Sequence, residues 1–178
     1  VLAFAMFCTG FVHAGSVTYA SSDIDISSKS AILMEYDSGE ILYSKDETKH
    51  LPIASMVKMM TILIALEELQ EGNVTLGTKI TTTENASSMG GSQVFLDPYV
   101  DYTFEDLLKS VIMASANDAS VALAEYFNGN EKAFTNRMNK RAKELGMTDT
   151  HYVNCTGLPA PEQYSSAKDT AIVLREIL

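Results

Sequence analysis

Residues 51–69 read LPIASMVKMMTILIALEEL, and the spacing of their apolar side chains predicts a helix. We expect this helix to run from Ser55 to Leu69, because Pro52 precedes it and Gly72 follows it as a stop signal. Apolar residues cover nearly its whole circumference: Met56, Val57, Met59, Met60, Ile62, Leu63, Ile64 and Leu66. A helix that is apolar on every side belongs in the interior of a protein. The rest of the chain should therefore pack around it.

Ser55 and Lys58 form a polar pair at the start of this helix. Side chains three residues apart share a helix face, so the hydroxyl and the amine can approach each other. Apolar surroundings lower the pKa of a lysine, and a neutral amine can take the proton of a serine that attacks a carbonyl. The free N–H groups of the helix N-terminus can then support the charge on the carbonyl oxygen. The alternative is that Ser55 only caps the helix and Lys58 reaches solvent.

A second candidate element is Ser115-Ala116-Asn117, which lies between two predicted helices. The Ser115 hydroxyl can relay a proton between a base and a leaving group, and the Asn117 amide can hold a substrate amide or the lysine. Helix caps and turns use the same residue types, so this tripeptide alone says little. Together with Ser55 and Lys58 it is much more informative.

These motifs resemble those of the low-molecular-mass penicillin-binding proteins, the serine-type D-Ala-D-Ala carboxypeptidases of the S11 peptidase family. S-x-x-K is the first signature of penicillin-binding proteins and class A β-lactamases. The middle motif here is Ser-Ala-Asn rather than Ser-Asp-Asn, which suits the carboxypeptidases and weakens the β-lactamase alternative. The resemblance spans about residues 30–178 and is carried by 51–61, 91–92, 115–119, 154, 156–158 and 164–169.

The resemblance implies a role for each matching residue. Ser55 would be the nucleophile that forms an acyl-enzyme with the penultimate D-Ala, and Lys58 the general base. Ser115 would relay protons as a third catalytic residue, and Asn117 would bind substrate. The implied partners are a peptidoglycan pentapeptide ending in D-Ala-D-Ala and, as covalent inhibitors, β-lactam antibiotics; no cofactor is implied. The alternatives are a serine β-lactamase or transpeptidase of the same fold, or a catalytically inactive wall-binding relative.

The implied fold is an α/β fold of the β-lactamase/transpeptidase type, in which a helical subdomain is inserted into an antiparallel sheet after an N-terminal hairpin. We expect residues 21–178 to form the N-terminal part of this domain. The local patterns predict a hairpin within 30–45 and extended pieces at 78–81 and 93–96. They also predict helices that start near Thr103, follow Asn117, and span Glu131–Leu145 and Ala167–Leu178.

A third motif, K-T-G or K-S-G on a sheet strand, is absent from the sequence. Lys168-Asp169-Thr170 is no substitute, because it falls within a predicted helix and lacks the glycine that allows close backbone approach. One hairpin is also too little sheet to be stable alone. We therefore expect the missing strands, and possible membrane anchoring, to lie beyond residue 178. This piece should then have little or no activity by itself.

The first twenty residues differ in composition from the rest. Residues 1–20 contain no Lys, Arg, Asp or Glu and open with an apolar run, Val1–Cys8. We interpret them as an incomplete secretory signal peptide, although a buried helix is an alternative. The protein is then expected to be exported to the cell envelope or periplasm.

Charge and cysteine content exclude other classes. The formal net charge of −10 makes nucleic acid an unfavourable partner. Cys155 would remain the single cysteine of the mature chain, so no disulfide framework is expected, and a buried inert thiol is its ordinary interpretation. No metal site is expected, because the histidines show no metal-binding spacing: His13, His50 and His151.

Overall fold

The computed structural model describes residues 26–178 of the chain. This part begins with an antiparallel hairpin of β1 (Ala31–Met34) and β2 (Ile41–Lys45). The turn between the strands contains Gly39 at φ 75°, a left-handed conformation that glycine adopts without steric cost. The hairpin predicted from the turn residues and the flanking apolar runs is confirmed.

A largely helical region follows the hairpin. Six α-helices lie within residues 26–178: α1 (Lys58–Gln70), α2 (Glu84–Ser87), α3 (Phe104–Ala114), α4 (Asn117–Asn128), α5 (Glu131–Glu144) and α6 (Ala167–Ile177). A second small antiparallel sheet pairs β3 (Lys79–Thr81) with β4 (Asp101–Thr103). The helices predicted from apolar periodicity are confirmed.

Three details differ from the prediction. The short helix α2 and the strand β4 were not expected, and no strand forms at residues 93–96. Phe95 has φ 60° in that segment, which is incompatible with a regular strand. The N–H groups of Val94 and Leu96 bond instead to the carboxylate of Asp118. A buried side chain, rather than a neighbouring strand, therefore organises this loop.

Helix α1 lies at the centre of the described residues, as its apolar circumference predicted. A 3₁₀ turn, Ala54–Val57, leads into it, and α1 then contacts α3, α4, α5 and α6. Val57, Met60 and Ile64 have no solvent exposure. The elements that carry the polar pair at 55 and 58 are thus fixed by core packing.

Side-chain caps mark the starts of two predicted helices. Thr103 accepts from the Asp106 N–H at 3.0 Å at the start of α3, and Ser166 accepts from the Asp169 N–H at 3.1 Å at the start of α6. Each cap satisfies a backbone donor that the helix leaves unpaired, which stabilises the helix by about 1 kcal/mol. Both helix starts were predicted from the sequence.

Two isolated backbone pairings bring the late part of the chain to the start of α1. Leu51 pairs with Ser165 through bonds of 2.9 and 3.1 Å, and His151 pairs with Tyr164 through bonds of 2.9 and 3.1 Å. Residues 152–163, here called the late loop, are closed at their base by the second pairing. The late loop is therefore held beside the turn that carries Ser55.

The signal peptide predicted at residues 1–20 lies outside the described residues. Within residues 26–178, every helix is too short or too polar to cross a bilayer.

Candidate active site

The amine of Lys58 lies between a hydroxyl and a backbone carbonyl. Ser55 is exposed in the 3₁₀ turn, and Lys58, the first residue of α1, is 3% exposed. The Nζ atom donates to Ser55 Oγ at 3.3 Å and to the Thr156 carbonyl oxygen at 2.6 Å. Burial excludes the alternative in which the lysine reaches solvent, and no side-chain cap bond involves Ser55. The two side chains share a face, as their spacing predicted.

The surroundings of Lys58 favour its neutral form. Burial lowers the pKa of the amine from its ordinary value of 10.5. Burial also raises the pKa of the Cys155 thiol well above 9.0, so this free cysteine stays protonated and inert. A lysine that loses its proton more readily can act as a general base.

Gly157 brings the late loop into contact with Ala54, the residue before Ser55. A Cβ at position 157 would overlap the Ala54 carbonyl and lie 2.9 Å from Ser55 N. Gly157 has φ 84°, and Ala54 has φ 46°. Only glycine fits this contact, and the left-handed Ala54 beside Ser55 is a local strain of the kind found at functional sites. Sequence reasoning gave Gly157 no role; the available signal was its place in segment 156–158, which helps to carry the family resemblance.

Asn117 is the first residue of α4 and is 3% exposed. Its Nδ2 donates to the Gly90 carbonyl at 2.6 Å, and its backbone N–H donates to the Ser92 carbonyl at 2.7 Å. A Cβ on Gly91 would lie 2.8 Å from Asn117 Nδ2 and 3.5 Å from Leu158 Cδ2. Asn117 therefore adjoins the late loop through the segment around Gly91.

Ser115 ends α3 in a left-handed conformation, with φ 54° and ψ 37°, and is half-buried. Such a conformation is uncommon for a residue other than glycine. Within the described part of the chain, the Lys58 amine hydrogen-bonds to Ser55 and Thr156 and to neither Ser115 nor Asn117. The structure thus joins Ser55 and Lys58 by a direct hydrogen bond. The Ser115–Asn117 corner is connected to them only indirectly, through the segment around Gly91 and the late loop.

Asp118 supports this corner, although the sequence gave it no role. Its carboxylate is fully buried and accepts from the N–H groups of Val94 at 3.1 Å, Leu96 at 3.1 Å and Ala119 at 2.9 Å. A buried carboxylate is tolerated when backbone donors and a helix N-terminus surround it. Asp118 therefore fixes the loop that contacts Asn117.

The hydrogen bonds of the two described histidines join them to residues other than Ser55 and Lys58. His50 stacks on Tyr164 with ring centroids 4.1 Å apart and bonds to Asp149 at 3.0 Å, and His151 bonds to the Glu162 carbonyl at 2.9 Å. Across residues 26–178, no group of three or more His, Cys, Asp or Glu side chains is arranged to hold a metal ion.

Several known proteins are similar to this chain in sequence or in structure. D-alanyl-D-alanine carboxypeptidase DacF of Bacillus subtilis is 46% identical over 158 residues, which cover 89% of this chain and 41% of that protein. The crystal structure of D-alanyl-D-alanine carboxypeptidase DacD from Francisella tularensis matches with a TM-score of 0.86 at 36% identity, covering 88% of this chain and 38% of that one. Penicillin binding protein 5 from Haemophilus influenzae matches with a TM-score of 0.85 at 35% identity, covering 89% and 47%.

The fold and the serine–lysine pair define a penicillin-binding-protein-like α/β protein, which confirms the fold class expected from the sequence. A family model described as D-alanyl-D-alanine carboxypeptidase, Peptidase S11, matches residues 16–178. The chain belongs to this family of serine hydrolases, as its motifs indicated. It spans less than half the length of the three relatives compared above, at 41%, 38% and 47% of their chains.

Proposed function

We propose that the complete gene product is a serine D,D-carboxypeptidase that removes the terminal D-Ala of peptidoglycan stem peptides through an acyl-enzyme. One observation carries the proposal: a buried amine, that of Lys58, lies 3.3 Å from the exposed hydroxyl of Ser55. The similarity to the B. subtilis carboxypeptidase supports this substrate class.

The acylation step follows from the positions of these groups. Neutral Lys58 accepts the Ser55 proton while Oγ attacks the carbonyl carbon of the penultimate D-Ala. The C–N bond then breaks, and the proton passes to the amine of the departing D-Ala. Water adds to the ester in the second step and restores the serine. Backbone N–H groups at the start of the helix can stabilise the oxyanion in both steps.

In this proposal the Ser115–Asn117 corner relays a proton and binds the substrate. Ser115 relays the proton between the Lys58 amine and the leaving group. Asn117 has two amide N–H donors and one carbonyl acceptor, and Gly90 engages a single donor. The remaining donor and the acceptor suit a substrate amide.

β-Lactam antibiotics are the proposed covalent inhibitors. Their ring carbonyl offers Ser55 the same attack, and the similar protein from H. influenzae is by name a penicillin-binding protein. The cleaved amine stays tethered to the acyl group after ring opening, so it remains to hinder the water that would hydrolyse the ester.

A β-lactamase is less well supported. A class A β-lactamase uses a glutamate to activate the deacylating water. Glu162, the acid in the corresponding stretch, is exposed, and its backbone carbonyl rather than its carboxylate contacts His151. Slow deacylation is therefore the expected behaviour.

The proposal places the protein outside the cytoplasm, since its substrate lies in the cell wall. The uncharged residues 1–20 support export as a signal peptide. An anchor beyond residue 178 would hold the enzyme at the membrane.

Labelling with a fluorescent penicillin tests the nucleophile. We expect Ser55→Ala in the complete gene product to lose labelling and D-Ala release by at least about a hundredfold, because Ser55 has the one side-chain hydroxyl that hydrogen-bonds to the Lys58 amine in the described residues. The matched control is Ser110→Ala, whose hydroxyl bonds to the Asp106 carbonyl of its own helix. Labelling that survives Ser55→Ala would refute the proposal, and rapid release of the label would favour a β-lactamase.

A further inference from the structure

The side chain of Gln163 bridges the two arms of the late loop. Its Oε1 accepts from the N–H groups of Val153 and Asn154, both at 2.9 Å. Its Nε2 donates to Asn154 Oδ1 and to the Leu158 carbonyl, both at 3.2 Å. Both ends of one half-buried amide are therefore used to hold the segment that follows Tyr152.

The side chain of Asn154 continues these bonds toward the reactive pair. Its Oδ1 accepts from the N–H groups of Gly157 at 2.8 Å and Thr156 at 3.2 Å. Its Nδ2 donates to the Leu158 carbonyl at 2.9 Å. Asn154 thus takes hold of the peptide group that joins Thr156 to Gly157.

That peptide group has a fixed geometry. The bond is trans and planar, so the Gly157 N–H and the Thr156 C=O point in opposite directions. When Asn154 takes the N–H on one side, the carbonyl on the other side is aimed at Lys58 Nζ, 2.6 Å away. The orientation of the lysine's acceptor is therefore set by a side-chain amide that never touches the lysine.

The preceding residue is held separately. The Cys155 carbonyl accepts from Thr61 Oγ1 and Ser120 Oγ, both at 3.2 Å, and its N–H donates to Glu131 at 3.0 Å. These bonds fix the chain before Thr156 against α1, α4 and α5. The N–H of the next peptide group is held by Asn154, and Gln163 in turn holds the Asn154 side chain.

We propose that Gln163, acting through Asn154, is a positioning residue that aims the Thr156 carbonyl at Lys58 and so keeps the general base in place for acylation. This inference rests on the proposed function. Neither amide is a catalytic residue, because neither contacts the reacting atoms.

Loss of the Gln163 amide should change how Lys58 titrates. A freed loop admits water to the amine, which removes the burial that lowers its pKa, so the pKa should rise toward 10.5. The other titratable groups nearby cannot compensate: the Cys155 thiol is kept neutral by burial, and Glu131 is bonded to Cys155. Less of the amine is then neutral at a given pH.

The test is the rate of penicillin acylation against pH in the complete gene product, with Gln163→Met compared to the wild type. Methionine keeps the length of glutamine and removes its polar atoms. The matched control is Asn139→Leu. The Asn139 side chain bonds to the N–H and the carbonyl of Tyr152 at 2.9 and 2.8 Å, so it also holds the late loop but does not bond to the peptide group between Thr156 and Gly157.

For Gln163→Met we expect the acid limb of the rate profile to move to higher pH, with a rate at neutral pH lower by on the order of tenfold. Asn139→Leu should lower the melting temperature without moving the limb. Gln163→Glu retains the oxygen that accepts from Val153 and Asn154, so its effect should be smaller. An unmoved limb in Gln163→Met, or an equal shift in the control, would overturn the inference.

A second measurement separates this inference from the proposed function. The Lys58 amine can be titrated by ¹³C NMR in a Ser55→Ala background, where no acylation is needed. A pKa that rises on adding Gln163→Met supports positioning even if Ser55 is not the nucleophile. A pKa that stays constant contradicts positioning even if penicillin labelling depends on Ser55.

Discussion

Burial of the Lys58 amine opposes folding, and it also favours the neutral amine that the proposed proton transfer requires. An ammonium group loses hydration when it is enclosed, so the folded state favours the neutral form. The bonds to Ser55 and Thr156 offset part of this cost and hold the amine beside the hydroxyl. A lysine in such a place is evidence of chemistry rather than of stabilisation.

The stability of the protein should therefore depend on pH through Lys58. Its pKa is lowered in the folded state, so between that value and 10.5 the unfolded chain binds more protons and rising pH favours folding. Measured by urea unfolding, the wild type should gain stability relative to Lys58→Met as the pH rises from neutral toward 10.5. Lys140→Met, which removes a lysine side chain that is 80% exposed, should show no such trend. If the difference in unfolding free energy between the wild type and Lys58→Met did not change with pH, the pKa of Lys58 would not be lowered in the folded state.

Gly157 allows a second prediction for a single residue. Gly157→Ala should destabilise the protein by about 2–4 kcal/mol, because the new Cβ overlaps Ala54 and the backbone is left-handed. Gly72→Ala is the matched control: it has φ 77° but open space around its Cβ, so it should cost only about 1 kcal/mol. Thermal unfolding measures both. Equal losses would mean that the contact with Ala54 adds nothing.

Among the elements, the junction of α3 and α4 depends on a loop that comes before both. Asn117 and Asp118, at the start of α4, bond to the backbone of residues 90–96. The left-handed Phe95 lies between the two N–H groups that Asp118 accepts. The carboxylate thus maintains a loop conformation that backbone propensity alone would not select.

Asp118→Asn should loosen this loop. An asparagine side chain has one oxygen in place of two, and its NH₂ group would face backbone N–H groups that the carboxylate accepts from. The substitution should lower the free energy of unfolding by about 2 kcal/mol. Hydrogen exchange at Val94 and Leu96 should then accelerate on the order of tenfold or more. Asp106→Asn, which alters an exposed carboxylate that bonds to the Thr103 hydroxyl, should leave that exchange unchanged. Protection that persists in Asp118→Asn would show that packing, not the carboxylate, holds the loop.

The elements that sequence reasoning located share a physical reason. Helices α3 and α6 combine an apolar stripe with a capping residue, Thr103 or Ser166, so local sequence suffices to define them. Strand β4 consists of three residues, Asp-Tyr-Thr, and three residues carry too little alternation to be recognised. It becomes a strand because β3 pairs with it, which is a tertiary effect.

The same distinction applies to the active site. The pair Ser55 and Lys58 could be predicted because three-residue spacing on a helix is a local rule. The contact with Thr156 could not, since it joins residues 98 positions apart and uses a backbone carbonyl, which every residue type possesses. The roles of Ser115 and Asn117 stay predictions, because neither side chain bonds to the pair within the described residues.

At the scale of the whole described chain, residues 26–178, the N-terminal hairpin is attached at its turn and has one exposed side. Arg175 of α6 donates to the carbonyls of Tyr36 at 2.6 Å and Asp37 at 2.8 Å. Yet Leu33 is 53% exposed, and several neighbouring apolar side chains are exposed as well: Tyr36, Ile41 and Leu42. This surface suits further sheet, and the strands expected beyond residue 178, with their third motif, stay a prediction.

The distance in sequence between Lys58 and Thr156 has a consequence for the newly made chain. We expect a chain of which only the first hundred residues have been made to leave its Lys58 amine in water as an ammonium ion, because segments that help to enclose the amine come later in the sequence. Without a neutral amine, the proposed deprotonation of Ser55 should not occur. The reactivity of the hydroxyl should therefore begin only after residues 151–165 have docked.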